Sequence, residues 1–144
     1  MKKQSIVTDR EYLSLPCQKV GLQDGLELAK KLSAILMESP EGVGLAANQI
    51  GIRKAVCIIN VVEPIILINP VILLKRGDIL FEEACLSFPD VQIRTKRYAE
   101  IEVRADNYEK NLKFDRERSL LECVCVQHEI DHLNGITMYD REDK

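Results

Sequence analysis

The chain has 144 residues, the length of about one folded unit, and a chain of this size buries roughly two-thirds of the surface its unfolded form exposes. Its 46% apolar and 30% charged fractions are those of a globular protein, which excludes a disordered or low-complexity chain. A net charge of −3 with 5% aromatic residues and no Trp offers no case for nucleic-acid binding. The longest unbroken apolar run is Ala55–Ile59, against the roughly 18 residues of a membrane span, and Met1–Gln4 leads into no apolar signal segment. Five cysteines, an odd number without such a signal, argue against a disulfide framework and for a reducing, cytoplasmic setting.

No repeat or Gly/Ser linker divides the chain, so a single domain over 1–144 is expected. Asp24, with Glu27 three residues on, predicts a helix start. Leu28, Leu32, Ile35 and Leu36 then recur on one helical face until Ser39-Pro40-Glu41-Gly42 ends it. Lys54–Arg76 is rich in Val and Ile, broken at Asn60, Pro64 and Asn69-Pro70, and predicts three short buried strands. Residues 99–105 alternate strictly and predict a half-exposed strand, with a turn at Asn107–Lys110 and a return strand at Leu112–Phe114. A second helix is predicted over about Ser119–Asn134, stopped by Gly135. Its apolar row of Leu121, Val124 and Cys125 runs on into His128 and His132. The fold class that follows is α+β.

The strongest chemical signal is Gln127-His128-Glu129-Ile130-Asp131-His132-Leu133. Histidines four apart on a helix project from adjacent turns and can share one metal ion. Glu129, next to the first of them, can stand beside a metal-activated water as a general base without ligating. A catalytic metal usually takes three protein ligands and keeps one position open. Cys125 lies about 7.5 Å along the axis from the midpoint of the two histidines, too far for a metal–sulfur bond of about 2.3 Å. Cys17, Cys57, Cys85 and the carboxylates remain candidates, and spacing does not choose among them.

Two further segments, Gly42-Val43-Gly44-Leu45-Ala46-Ala47-Asn48-Gln49 and Glu83-Ala84-Cys85-Leu86-Ser87, precede the histidine helix. With His128–Gly135 they resemble, in order, the GxGLAAxQ, EGCLS and HExDHLxG motifs of the peptide deformylases, a likeness that spans roughly residues 20–140. The resemblance implies short antiparallel strands packed around a central metal-binding helix, with an N-terminal helix beside them. It implies one divalent metal per chain on Cys85, His128 and His132, typically Fe(II), with Ni(II), Co(II) or Zn(II) as alternatives. The implied reaction removes the N-formyl group from formyl-methionyl peptides and releases formate. Glu129 is then the general base and acid, and the Gln49 amide and the Leu86 backbone N–H stabilise the oxyanion. Val43, Gly44, Leu45, Leu121, Val124 and Cys125 match substrate-binding positions, and Arg97 matches an arginine that pairs with Glu83 to support the Cys85 loop.

Two departures from the family pattern stand out. Ala84 replaces the usual Gly before the ligand cysteine, which would cost about 1 kcal/mol if that position needed positive φ. The chain also stops nine residues after Gly135, where bacterial members continue into a C-terminal helix that docks at the ribosome. It therefore resembles the compact phage forms; a monomer is expected, with any ribosome contact transient. Two other readings compete: a zinc peptidase sharing the histidine helix, which leaves Gly42–Gln49 and Cys85 without a task, and a binding-only relative, which needs a fourth ligand at no convincing spacing.

Overall fold

The computed structural model describes residues 6–144; the stretch Met1–Gln4 and Ser5 lie outside them. The elements in chain order are α1 (Arg10–Leu13), α2 (Leu22–Met37), β1 (Gly44–Ala46), β2 (Val56–Asn60), β3 (Pro64–Ile68), β4 (Val71–Cys85), β5 (Phe88–Arg104), β6 (Leu112–Asp115) and α3 (Arg116–Leu133). Two three-stranded antiparallel sheets, in the orders β1-β2-β3 and β4-β5-β6, enclose α3. The architecture is α+β, as the element pattern predicts. No helix among the described residues is long and apolar enough to cross a membrane.

The unbroken apolar run in β2 has a simple cause: both faces of the strand are covered. Val56 and Ile58 join Ala29, Leu32 and Leu36 of α2 in one buried cluster. Cys57 and Ile59, pointing the other way, join Val126, Ile130 and Leu133 of α3 in another. Leu45 and Ala46 on β1 divide between the same two clusters.

Three predicted elements need correction. The first long helix begins at Leu22, with Gly21 as its N-cap and no side-chain capping bond; Asp24 sits in the first turn, where its charge complements the helix dipole. Only two of the three strands expected in Lys54–Arg76 are short and buried. The third is the start of the 15-residue β4, which pairs with the 17-residue β5 from Val71↔Arg104 to Cys85↔Phe88 and leaves most of its outer positions exposed. The strand predicted at 99–105 is thus the end of a much longer one.

In α3 the chain is broken at Ser119, whose φ of −173° and ψ of 117° are extended. Asp115 caps the short first turn by accepting the Arg118 N–H, and Ser119 Oγ accepts the Glu122 N–H at 3.0 Å. The main helix therefore starts at the predicted serine. From Glu122 to Leu133 every residue is buried, so the expected single apolar stripe is replaced by burial on all sides.

Gly135 ends the helix with φ of +76°, and a Cβ there would lie 2.5 Å from the Ser14 carbonyl oxygen. Both the left-handed backbone and the main-chain contact exclude a side chain. Gly135→Ala is expected to cost at least about 2 kcal/mol and lower Tm by several degrees. Thermal unfolding followed by circular dichroism checks this; an unchanged Tm would contradict the assignment.

Candidate metal centre

Helical spacing puts His128 and His132 one turn apart on α3, with their Nε2 atoms 3.2 Å from each other. Cys85 reaches the same point from the end of β4, its Sγ 3.4 Å from His132 Nε2. The three ligand atoms lie within 4.8 Å of one another, and all three residues are buried. Bonds of about 2.0–2.1 Å to nitrogen and about 2.3 Å to sulfur at tetrahedral angles separate such donors by about 3.3–3.6 Å. One thiolate and two imidazoles at these distances fit a single divalent ion. Two imidazole nitrogens this close also cannot both point protons at each other, a conflict that a shared cation removes. Cys17 and Cys57, still open on spacing, are not in this group, and Cys125 Sγ instead faces the Val43 carbonyl at 3.6 Å.

The remaining hydrogen-bonding edge of His128 is spoken for: Nδ1 sits 2.8 Å from Glu83 Oε1. A donor at Nδ1 leaves Nε2 as the free lone pair facing the cluster. Glu83 is held in turn by Arg97, whose Nε and Nη2 donate to its two oxygens at 2.5 and 2.9 Å, and by the Thr95 hydroxyl. Burial opposes the Glu83 charge, yet the bonds from Arg97 and His128 hold its carboxyl down at about 2. Arg97 is 4% exposed, so its charge is buried with its partners rather than solvated.

Glu129 is buried beside the cluster, and its Oε1 has no partner. Burial pushes its carboxyl up to about 7, against the pull of the His128 charge. Its other oxygen lies against Gly44: a Cβ at Gly44 would sit 2.6 Å from Glu129 Oε2 and 2.8 Å from Cys125 Sγ. The bare Cα of Gly44 thus makes room for the carboxylate.

Gln49 stands in a tight turn at Ala47–Ile50 that follows β1. Its Oε1 accepts the Ala46 N–H at 2.9 Å, which forces Nε2 toward Ser87 Oγ at 3.1 Å and Cys85 Sγ at 3.6 Å. Leu86 is in the two-residue turn between Cys85 and Phe88, so its backbone N–H belongs to the Cys85 loop. Val43 is half-buried on the α3 side, and Val124 and Cys125 are buried one turn before His128. Leu121, a turn earlier, is 42% exposed and not core. Leu45 points into the α2 cluster, so only its backbone is available near the site. Ala84 is exposed and unstrained, because Asn69 and Asp90 are the only non-glycine residues with positive φ among those described. The ladder is irregular here: Glu83 pairs with Ile93 and Cys85 with Phe88, so Ala84 faces the looser stretch Pro89–Gln92 of β5.

Several residues here carry no role in the sequence reading. Asn48 Nδ2 donates to the His132 carbonyl at 2.7 Å, and Asp131 accepts from Arg97 Nη1 at 2.5 Å and from Arg141. The sequence carries no signal for Asp131, because the all-round burial that makes its charge unusual appears only in the fold.

A buried helix offering two histidines and a carboxylate, completed by a cysteine from a strand end, defines a metallohydrolase frame. The polypeptide deformylase family model matches residues 3–144. A peptide deformylase of Desulfitobacterium hafniense is 43% identical over 120 residues, covering 81% of this chain and 79% of that protein. Among solved structures, a probable peptide deformylase from Synechococcus phage S-SSM7 superposes with a TM-score of 0.83 at 33% identity, over 96% of this chain and 99% of that one. The class I type b peptide deformylase of Acinetobacter baumannii, bound to Met-Ala-Ser, gives 0.86 at 26% identity over 98% and 100%. The chain belongs to the peptide deformylase family and is an enzyme of that class.

Metal content discriminates the cysteines. Cys85→Ala is expected to lower Co(II) uptake well below one ion per chain, and Cys17→Ser to leave it at one, by equilibrium dialysis with elemental analysis. Equal uptake by both variants would contradict the ligand assignment.

Proposed function

We propose that the chain removes the formyl group from N-formyl-methionyl peptides, with Cys85, His128 and His132 holding one divalent ion, Fe(II) by family resemblance. Such an ion supplies Lewis acidity to the attacking water at neutral pH. The observation that carries the reading is the unpartnered Glu129 Oε1 beside three converging ligand atoms. A carboxylate with one oxygen packed against Gly44 and the other without a protein partner suits a reacting water.

Glu129 takes the proton of the water whose oxygen bonds to the formyl carbon. As the carbon–nitrogen bond breaks, the same carboxyl passes the proton to the leaving amine, and formate departs. The developing oxyanion is met by the Gln49 amide, whose orientation the Ala46 N–H fixes, and by the Leu86 N–H. The peptide runs in extended form beside β1 at Gly44, as befits an enzyme whose Acinetobacter relative binds Met-Ala-Ser. Its methionine side chain enters the apolar surroundings of Val43, Leu121, Val124 and Cys125.

The test is amine release from a formyl-Met tripeptide by metal-loaded protein, with Glu129→Ala alongside. The variant is expected to bind one metal per chain and lose turnover by about 100- to 10,000-fold. Full turnover in Glu129→Ala, or cleavage of internal peptide bonds with the formyl group left in place, would overturn the proposal.

A further inference from the structure

The polar chain that begins at His128 does not end at Arg97. Arg97 spends Nε and Nη2 on Glu83 and directs Nη1 to Asp131 Oδ2 at 2.5 Å. Asp131 is gripped from its other side by Arg141, whose Nε donates to Oδ2 and Nη2 to Oδ1, both at 3.0 Å. The sequence of contacts is therefore His128, Glu83, Arg97, Asp131, Arg141, with opposite charges alternating from Glu83 onward. All but the last are buried; the Arg141 side chain is 39% exposed.

Arg141 belongs to a single 3-10 turn, Met138–Arg141, in the C-terminal tail. That tail is tied to β5 beside Arg97: Asp143 N–H donates to the Arg94 carbonyl at 2.8 Å, and Glu142 bridges to Thr95. Met138 anchors it in the cluster that contains Cys85 and Phe88. Behind the network a solvent-open cavity of about 990 Å³ is lined by Tyr98, Gln127, Asp131, Asn134 and Arg141 and by none of the three metal ligands. The Arg141 guanidinium thus meets water on one side and the buried carboxylate on the other.

We propose that Arg141 is a positioning residue for the metal centre: its two-pronged grip fixes the Asp131 carboxylate, which aligns Arg97 on Glu83 and so sets the His128 ring. The inference rests on the metal reading given under Proposed function. Without the fork, one of the three hydrogen bonds on Asp131 remains, and the carboxylate is free to turn away from Arg97. A lysine at this position keeps the charge but cannot span both oxygens, so Arg141→Lys isolates geometry from electrostatics.

The test uses the full chain loaded with Co(II), reading the thiolate and d–d absorption bands and the rate at which excess chelator removes the ion. Loss of a direct partner of a metal-bound histidine weakens binding roughly 10- to 100-fold, so three links away Arg141→Lys is expected to speed release by about three- to tenfold and shift the bands. A merely structural role lowers Tm and leaves release, measured well below Tm, at the wild-type rate. In an Asp131→Asn background, where the fork has lost its partner carboxylate, Arg141→Lys is expected to add nothing. Wild-type release from Arg141→Lys, or effects that multiply in the double variant, would overturn the inference while leaving the metal site standing. Wild-type protein that takes up no Co(II) would overturn both.

Discussion

The residues of α3 from Glu122 to Leu133 pass through the middle of the protein, and five of them are acids or histidines. Burying a polar group without a partner costs a few kcal/mol, and a lone charge far more, so the rest of the fold has to answer this helix residue by residue. Arg118 and the Ser119 cap meet Glu122. The main chain of Tyr98 takes both ends of the Gln127 amide. Glu83 meets His128, and Arg97 with Arg141 meets Asp131. The long hairpin of β4 and β5 delivers several of these partners: Glu83, Thr95, Arg97 and Tyr98 all lie on it, as does Cys85 at the end of β4.

Seen this way, what the fold leaves unsatisfied is as informative as what it pairs. Among the described residues the buried side-chain atoms without partners are Asn48 Oδ1, Glu129 Oε1 and His132 Nδ1. Asn48 and His132 are joined by a hydrogen bond, and Glu129 follows His128 on the same helix. In a protein that partners its other buried charges with care, the unpartnered Glu129 Oε1 is the exception, and it is the free carboxylate oxygen that the proposed reaction needs. Gly44 serves the same point, since its missing side chain is the space in which the Glu129 carboxylate sits.

Much of this was legible in the chain because the chemistry is local. His128, Glu129 and His132 need only helical periodicity, and Gly135 needs only its place after the last apolar residue. Cys85 was not legible from spacing, since it lies 47 residues before His132 and meets it only through the fold; motif order alone pointed to it. The long hairpin was hidden because its outer face is exposed, so β4 lacks the continuous apolar run that betrays β2. The network beyond Arg97 was hidden for a related reason. Asp131 and Arg141 each look like ordinary helix and tail charges until tertiary structure brings them to 3.0 Å. Ala84 shows the reverse error: a glycine position invites an argument from backbone strain, and its negative φ removes the argument.

One thiolate from β4 and two imidazoles from α3 are proposed to share a metal ion. X-ray absorption at the metal edge of the loaded protein tests this most directly. One sulfur at about 2.3 Å and two imidazole nitrogens at about 2.0–2.1 Å per ion are expected. Two or more sulfur neighbours, or none, would contradict it, because no second cysteine is grouped with Cys85, His128 and His132 among the described residues.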